Sequence, residues 1–87
     1  MLNQVVLVGR IVKIYEDYIV LKVERPKKNE EGLYDVDYIP IALPNSIMER
    51  TREECKENNV IGVKGRLEVH YGAVCIKAEK ISYLSSN

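Results

Sequence analysis

The run Leu2–Ile14, Leu-Asn-Gln-Val-Val-Leu-Val-Gly-Arg-Ile-Val-Lys-Ile, constrains this chain most: it is the longest β-competent stretch and is apolar on both of its faces. With alternating side chains, Val5, Leu7, Gly9 and Ile11 share one face, and Val6, Val8, Arg10, Val12 and Ile14 share the other. A strand apolar on both sides is central to a structure or covered by a second chain. Gly9 inside the run marks a bulge, a barrel corner or a close backbone approach. The run therefore reads as one long, bent strand that helps to close a small barrel. Leu2, Gln4, Val6 and Val8 are its candidates for contact with a second subunit.

At 87 residues the chain has room for one domain, taken as 1–84 with a short end at 85–87. A domain this short buries about two thirds or less of its unfolded surface, which association would relieve. Charges balance, 13 Lys and Arg against 13 Asp and Glu, so an anion-binding site has to be a local patch. No apolar run approaches the roughly 18 residues of a membrane span, and no basic-then-apolar leader opens the chain, so a cytoplasmic protein is expected. Cys55 and Cys75, with the single His70, cannot assemble a four-ligand zinc site in one chain, and they are expected as small hydrophobes with free thiols. Trp and Phe are absent while Tyr occurs six times, so any aromatic function falls on tyrosine.

After the first strand, Tyr15-Glu16-Asp17 is a short polar connection, and Tyr18–Glu24 resumes alternation with Ile19, Leu21 and Val23 on one face, which makes a hairpin. Arg25–Gly32 is polar and breaker-rich, hence a loop; its basic half, Arg25, Lys27 and Lys28, is either a phosphate contact or a solvated tip. The third strand, about Leu33–Leu43, places Ile39, Ile41 and Leu43 on one face, and Pro40 puts it at an edge or beside a bulge. Tyr38 on that strand is a platform for a base or a tyrosine packed on a neighbour. Ser46-x-x-Glu49 fits a capping box, and a helix with Ile47, Met48, Thr51 and Cys55 on one side follows, ending at Asn58-Asn59. The fourth strand is Val60–His70, with Ile61, Val63, Gly65, Leu67 and Val69 together, and a turn at Tyr71-Gly72-Ala73 leads to a fifth, Val74–Ile81. All-β with one short helix between strands 3 and 4 is the connectivity of the OB-fold, a five-stranded Greek-key barrel.

Constellations for catalysis are scarce. There is no phosphate-binding glycine loop, no nucleophile elbow and no His-with-carboxylate cluster, and Asp35 and Asp37 read as a solvated pair, so no enzyme is expected. Binding remains. Single strands are held by cations that track phosphates and by aromatic faces on which bases stack, and the candidates are Arg10, Lys22, Lys64 and Arg66 on strands, Arg25, Lys27 and Lys28 in a loop, and Tyr38 and Tyr71.

Met1-Leu2-Asn3-Gln4-Val5-Val6-Leu7-Val8-Gly9-Arg10 resembles the amino terminus of bacterial single-stranded DNA-binding proteins. Val36–Leu43, the following helix and Val60–Leu67 are similar to the same family, with paired Gly-Arg landmarks at Gly9-Arg10 and Gly65-Arg66. The resemblance implies a homo-oligomeric OB-fold, a dimer or tetramer, that wraps single-stranded DNA in replication, recombination or repair, with replication proteins as further partners. It also implies that Tyr38 occupies a stacking position on the third strand, that Tyr71 lies close to another at the end of the fourth, and that Arg10, Lys64 and Arg66 fall at basic positions. This chain departs from the family after the first strand, where Lys13-Ile14-Tyr15-Glu16-Asp17 replaces a longer connection, and at Pro26-Lys27-Lys28 and Pro44, where aromatics are usual. Fewer stacking faces and shorter loops imply weaker binding or a smaller footprint. The chain stops at Ser85-Ser86-Asn87 where the family usually continues into an acidic, apolar-tipped tail that recruits replication proteins, so it is either cut there or a short form without that recruiting function. The competing readings are an OB-fold adaptor resembling the primosomal protein PriB, acting through protein contacts, and an RNA-binding or structural OB module.

Overall fold

The computed structural model describes residues 3–85. Its elements are β1 (Val5–Ile14), β2 (Tyr18–Lys28), β3 (Tyr34–Ala42), α1 (Asn45–Glu54), β4 (Val60–His70) and β5 (Ala73–Tyr83). The strands close into a barrel in the order β1-β2-β3-β5-β4. Pairing is antiparallel except at a short parallel seam, where Ile41 meets Ile76 and Ala42 meets Lys77. This is the five-stranded OB barrel, helix between the third and fourth strands, that the strand pattern implies.

Alternation builds the core. Ile11, Ile19, Leu21, Ile41, Ile61, Val63 and Ala78 point inward and are essentially sealed from solvent, and Leu43, Met48 and Cys55 close one end. Helix α1 contributes Met48 and Thr51 to that end, and the Thr51 hydroxyl is 3.0 Å from the Tyr83 hydroxyl. Cys55 donates its Sγ–H to the Thr51 carbonyl at 3.1 Å, and burial pushes its thiol pKa up. Both cysteines are free thiols, Cys55 buried and Cys75 half-buried.

Several boundaries differ from the sequence reading, each for a local reason. Strand β1 starts at Val5 and not Leu2, because the Asn3 side chain donates to the Leu67 carbonyl at 2.8 Å and accepts the Leu67 N–H at 3.0 Å, so that a side-chain amide takes the place of a backbone rung. Leu2, a candidate for subunit contact, lies outside the described residues. Strand β2 runs on to Lys28, so Arg25, Lys27 and Lys28 belong to a strand and not to a loop. Pairing passes from Glu24↔Val36 to Lys28↔Tyr34, and Pro26 sits in that bulge, where no ladder donor is needed. The hairpin tip is held by Asn29, whose Oδ1 accepts from the N–H groups of Glu31 and Leu33.

The capping box does not form. Pro44 is the N-cap, no side chain caps the helix, and the first turn closes through the Met48 N–H to the Pro44 carbonyl at 2.9 Å. The helix ends at Glu54; Asn58, at φ 74°, turns the chain into β4 beyond it. Leu67 and Val69, expected on the buried face of β4, are 44% and 67% exposed. They belong to a β4–β5 hairpin that projects past the barrel, with Tyr71 and Gly72 both at positive φ in its two-residue turn. The Cα radius of gyration, 13.4 Å, exceeds the ~12 Å of a compact domain of this length, as two projecting hairpins require.

Gly9 is a close approach. A Cβ there would run into the Lys22 carbonyl oxygen, and one at Gly65 into the Lys77 carbonyl oxygen. These are the points where β2 packs down on β1 and β5 on β4. The kink in β1 comes two residues later, at a bulge between Ile11 and Lys13.

Candidate nucleic-acid interface

Because Ile19, Leu21 and Ile41 point inward, their even-numbered neighbours on β2 and β3 point out. Register then aligns three of the candidates: Arg10 of β1 lies opposite Lys22 of β2, and Lys22 lies opposite Tyr38 of β3. All three are exposed, Tyr38 by 59%. They form one row across the outer face of three neighbouring strands, where two cations lie beside an aromatic ring. The Arg10 guanidinium is oriented by the α1–β4 connection, since its Nη1 donates to the Asn58 carbonyl at 2.8 Å. A shallow groove of about 280 Å³ lies at the Arg10 and Lys22 end of this row, lined by Val8, Gly9, Arg10, Lys22, Glu24 and Val60.

Two other candidates are engaged by carboxylates. Arg25 donates from Nε and Nη2 to the two oxygens of Asp37 at 3.1 and 3.0 Å, which holds the guanidinium pKa up and the carboxyl pKa down. Arg66 grips Glu68 through Nε at 2.9 Å and Nη2 at 2.7 Å, and reaches Glu79 at 3.4 Å. With His70 Nε2 3.0 Å from its other oxygen and Arg66 on the first, Glu68 has its pKa lowered to about 2. These arginines can meet a phosphate by exchanging one anion for another.

The remaining candidates are spread around the barrel. Lys27 and Lys28 are exposed near the end of β2, Lys28 with its Nζ 5.7 Å from the Tyr34 ring centre. Tyr71 stands fully exposed at the β4–β5 tip. Lys64 lies on the other side of β1, paired with Val6 on one side and Lys80 on the other. There it borders a second surface, continuous with the groove through Val8, formed by Val6 at 70% exposure, Val8 at 55% and Leu84 at 55%. Gln4 is exposed just before β1 begins.

Lys80 was not among the sequence candidates. Its placement opposite Lys64 follows from the β4–β5 register, which shifts between Lys64 and Gly65, and simple alternation does not reveal such a shift. The structure corrects the expectation that no His sits with a carboxylate: His70 Nε2 lies 3.0 Å from Glu68, beside Arg66, and this cluster was accessible in principle, because residues two apart share a strand face.

No family model matches the chain. It is 32% identical over 78 residues to single-stranded DNA-binding protein B of Bacillus subtilis, a match covering 78% of this chain and 69% of that protein. Among solved structures, a mitochondrial single-stranded DNA binding protein of S. cerevisiae superposes with a TM-score of 0.73 at 13% identity, over 98% of this chain and 96% of its own. A small single-stranded DNA-binding protein from Streptomyces coelicolor gives 0.71 at 15% identity, over 95% and 93%. The dimeric N-terminal domain of PriB from Thermoanaerobacter tencongensis gives 0.66 at 19%, over 97% and 98%. At these identities the structural matches establish the shared fold.

Proposed function

Because the chain belongs to the family of single-stranded DNA-binding proteins, we propose that it holds single-stranded DNA, without strong sequence preference, across the outer face of β1, β2 and β3. The observation that carries this is the single row of Arg10, Lys22 and Tyr38. A strand laid over it finds phosphate partners beside a ring face, and each base stacked on an aromatic is worth about 1–3 kcal/mol whatever its identity. Lys27 and Lys28 extend the positive track along the β2–β3 hairpin. Arg25 and Arg66 are cations that their carboxylates hold back from phosphate, and Lys64 and Tyr71 flank the path. The role is binding without a chemical step, in DNA replication, recombination or repair, in the cytoplasm with the DNA.

A second copy of the chain covers the exposed Val6, Val8 and Leu84 surface in a dimer or tetramer, which supplies the cover that β1 lacks on its outer side. Replication proteins are partners in this reading.

Titration of the tyrosine emission with oligo-dT at low and high salt tests the proposal. Quenching with salt-sensitive binding is expected, since a single-stranded complex loses affinity with a slope of about −0.7 per neutralised phosphate. Absence of both, together with nuclease-resistant capture of a replication protein, would favour the PriB-like adaptor instead. Stronger binding of an RNA oligomer in competition would point to the RNA module.

A further inference from the structure

The turn between β1 and β2 carries an arrangement that the row of Arg10, Lys22 and Tyr38 does not use. Tyr15 and Tyr18 are stacked, with ring centres 4.5 Å apart and planes inclined by 13°. Lys13 places its Nζ 5.7 Å from the centre of the Tyr15 ring. The turn is fixed twice: the Tyr15 N–H bonds to the Tyr18 carbonyl at 2.9 Å, and Arg52 of the helix donates to the carbonyls of Tyr15 and Glu16 at 2.6 and 3.1 Å. Neither ring fills the barrel core, which Ile11, Ile19 and Ile41 already complete, and Tyr15 stays 39% exposed.

Geometry puts this pair on the same outer face as Tyr38. Tyr18, Val20 and Lys22 share an unbroken register with Ala42, Pro40 and Tyr38, so Tyr18 lies four residues along the face from Lys22, about 13 Å at 3.3 Å per residue. Val20 and Pro40 form the floor between. The bulge between Ile11 and Lys13 is what brings the cation there. With strict alternation from Ile11 inward, Lys13 would point into the barrel; the extra residue puts it outside, opposite Val20.

We propose that Tyr15 and Tyr18 form a second base-stacking station, and that one DNA strand crosses from the Arg10, Lys22 and Tyr38 row over Val20 and Pro40 to reach it. The inference rests on the single-stranded DNA reading and extends its path. Glu16 and Asp17 in the same turn offset the charges of Lys13 and Arg52, so the station holds a base by its face and not a phosphate by charge. That assigns it a signature different from the first row: loss of affinity with no change in salt dependence.

The test uses the full chain and oligo-dT of about 15 residues, near the upper site size of one OB domain. In Tyr15→Leu, binding is expected to weaken roughly 5- to 150-fold, equivalent to one stacked base, at an unchanged salt slope, and Tyr15→Phe restores the affinity. Lys22→Gln, by contrast, lowers the slope by about 0.7. Ultraviolet crosslinking of the wild-type complex, read by mass spectrometry, is expected to give adducts at Tyr15 or Tyr18 as well as at Tyr38. It decides the matter even where a variant folds poorly. Adducts at Tyr38 but at neither Tyr15 nor Tyr18, or wild-type affinity in Tyr15→Leu, would overturn the second station and leave the first. Failure of the wild type to bind oligo-dT would overturn both.

Discussion

Replacing Asp37 by Asn should strengthen DNA binding, although it removes a well-formed ion pair. Asp37 holds both Arg25 donors at 3.0 and 3.1 Å, on the face of the β2–β3 hairpin opposite Tyr38, so in the free protein it occupies a cation that a phosphate reaching that face would use. Both side chains are exposed, 57% for Arg25 and 45% for Asp37, so the variant should keep its fold. Asn retains the size but has one acceptor oxygen in place of two and no charge, and the freed Arg25 adds one phosphate contact. One added contact steepens the salt slope by about 0.7, and over a fourfold rise from about 50 to about 200 mM salt this amounts to a factor of 4 to the power 0.7, about 2.6. Asp37→Asn should therefore bind oligo-dT more tightly than wild type at the lower salt, with its advantage shrinking about 2.6-fold at the higher. Tyrosine-emission titrations at the two salt concentrations measure both quantities. Adding Arg25→Gln to Asp37→Asn should return the slope to the wild-type value and closes a double-mutant cycle. A single variant with wild-type slope and affinity would refute the idea that Asp37 withholds Arg25 from phosphate.

Gly65→Ala should lower the melting temperature, because the new Cβ meets the Lys77 carbonyl and the Ala78 Cα, both backbone. Overpacking of this kind costs about 1–3 kcal/mol, or at least ~4 °C in a domain of this size, and an unchanged thermal melt would contradict the close approach. The Glu68 carboxyl should titrate near pH 2 and not 4.5 when followed by NMR. Its folded pKa is depressed, so the stability it contributes is complete above pH 4.5 and is lost as the pH falls from there through about 2; a midpoint near 4.5 would dissolve the link to His70 and Arg66. Val8→Asp should shift the mass seen by light scattering toward that of one chain, and an unaltered oligomer would free the β1 surface from any role in assembly.

Strand alternation was enough to find the barrel. The inward set Ile19, Leu21, Ile41, Ile61 and Val63 and the bounds of β4 were legible because burial repeats every two residues and those stretches hold the period without interruption. Register breaks were not legible. The breaks at Ile11/Lys13, Glu24/Lys28 and Lys64/Gly65 each alter which side chains share a face, and although Pro26 and Gly65 stand at two of them, neither residue fixes the register that follows. For the site, the exposure of Arg10, Lys22 and Tyr38 followed from the period, but their alignment needed the pairing between strands. The engagement of Arg25 by Asp37 depends on how a bulged hairpin closes, and that of Arg66 by Glu79 on the β4–β5 register. Tyr15, read as part of a polar connection, gains its meaning from the stack and the bulge beside it.

The parallel seam between β3 and β5 is two residue pairs long. Among the described residues β3 pairs from Tyr34 to Pro40 on its β2 side alone, so the barrel wall has an open margin there. Unpaired backbone of this sort invites a strand from another molecule, and continuous sheets grow from such margins. Pro40 stands at the end of that margin, next to the seam, with no N–H to offer. Pro40, which lies between Tyr38 and Ala42 on the outer face, thus removes one backbone donor from the strand that borders this margin.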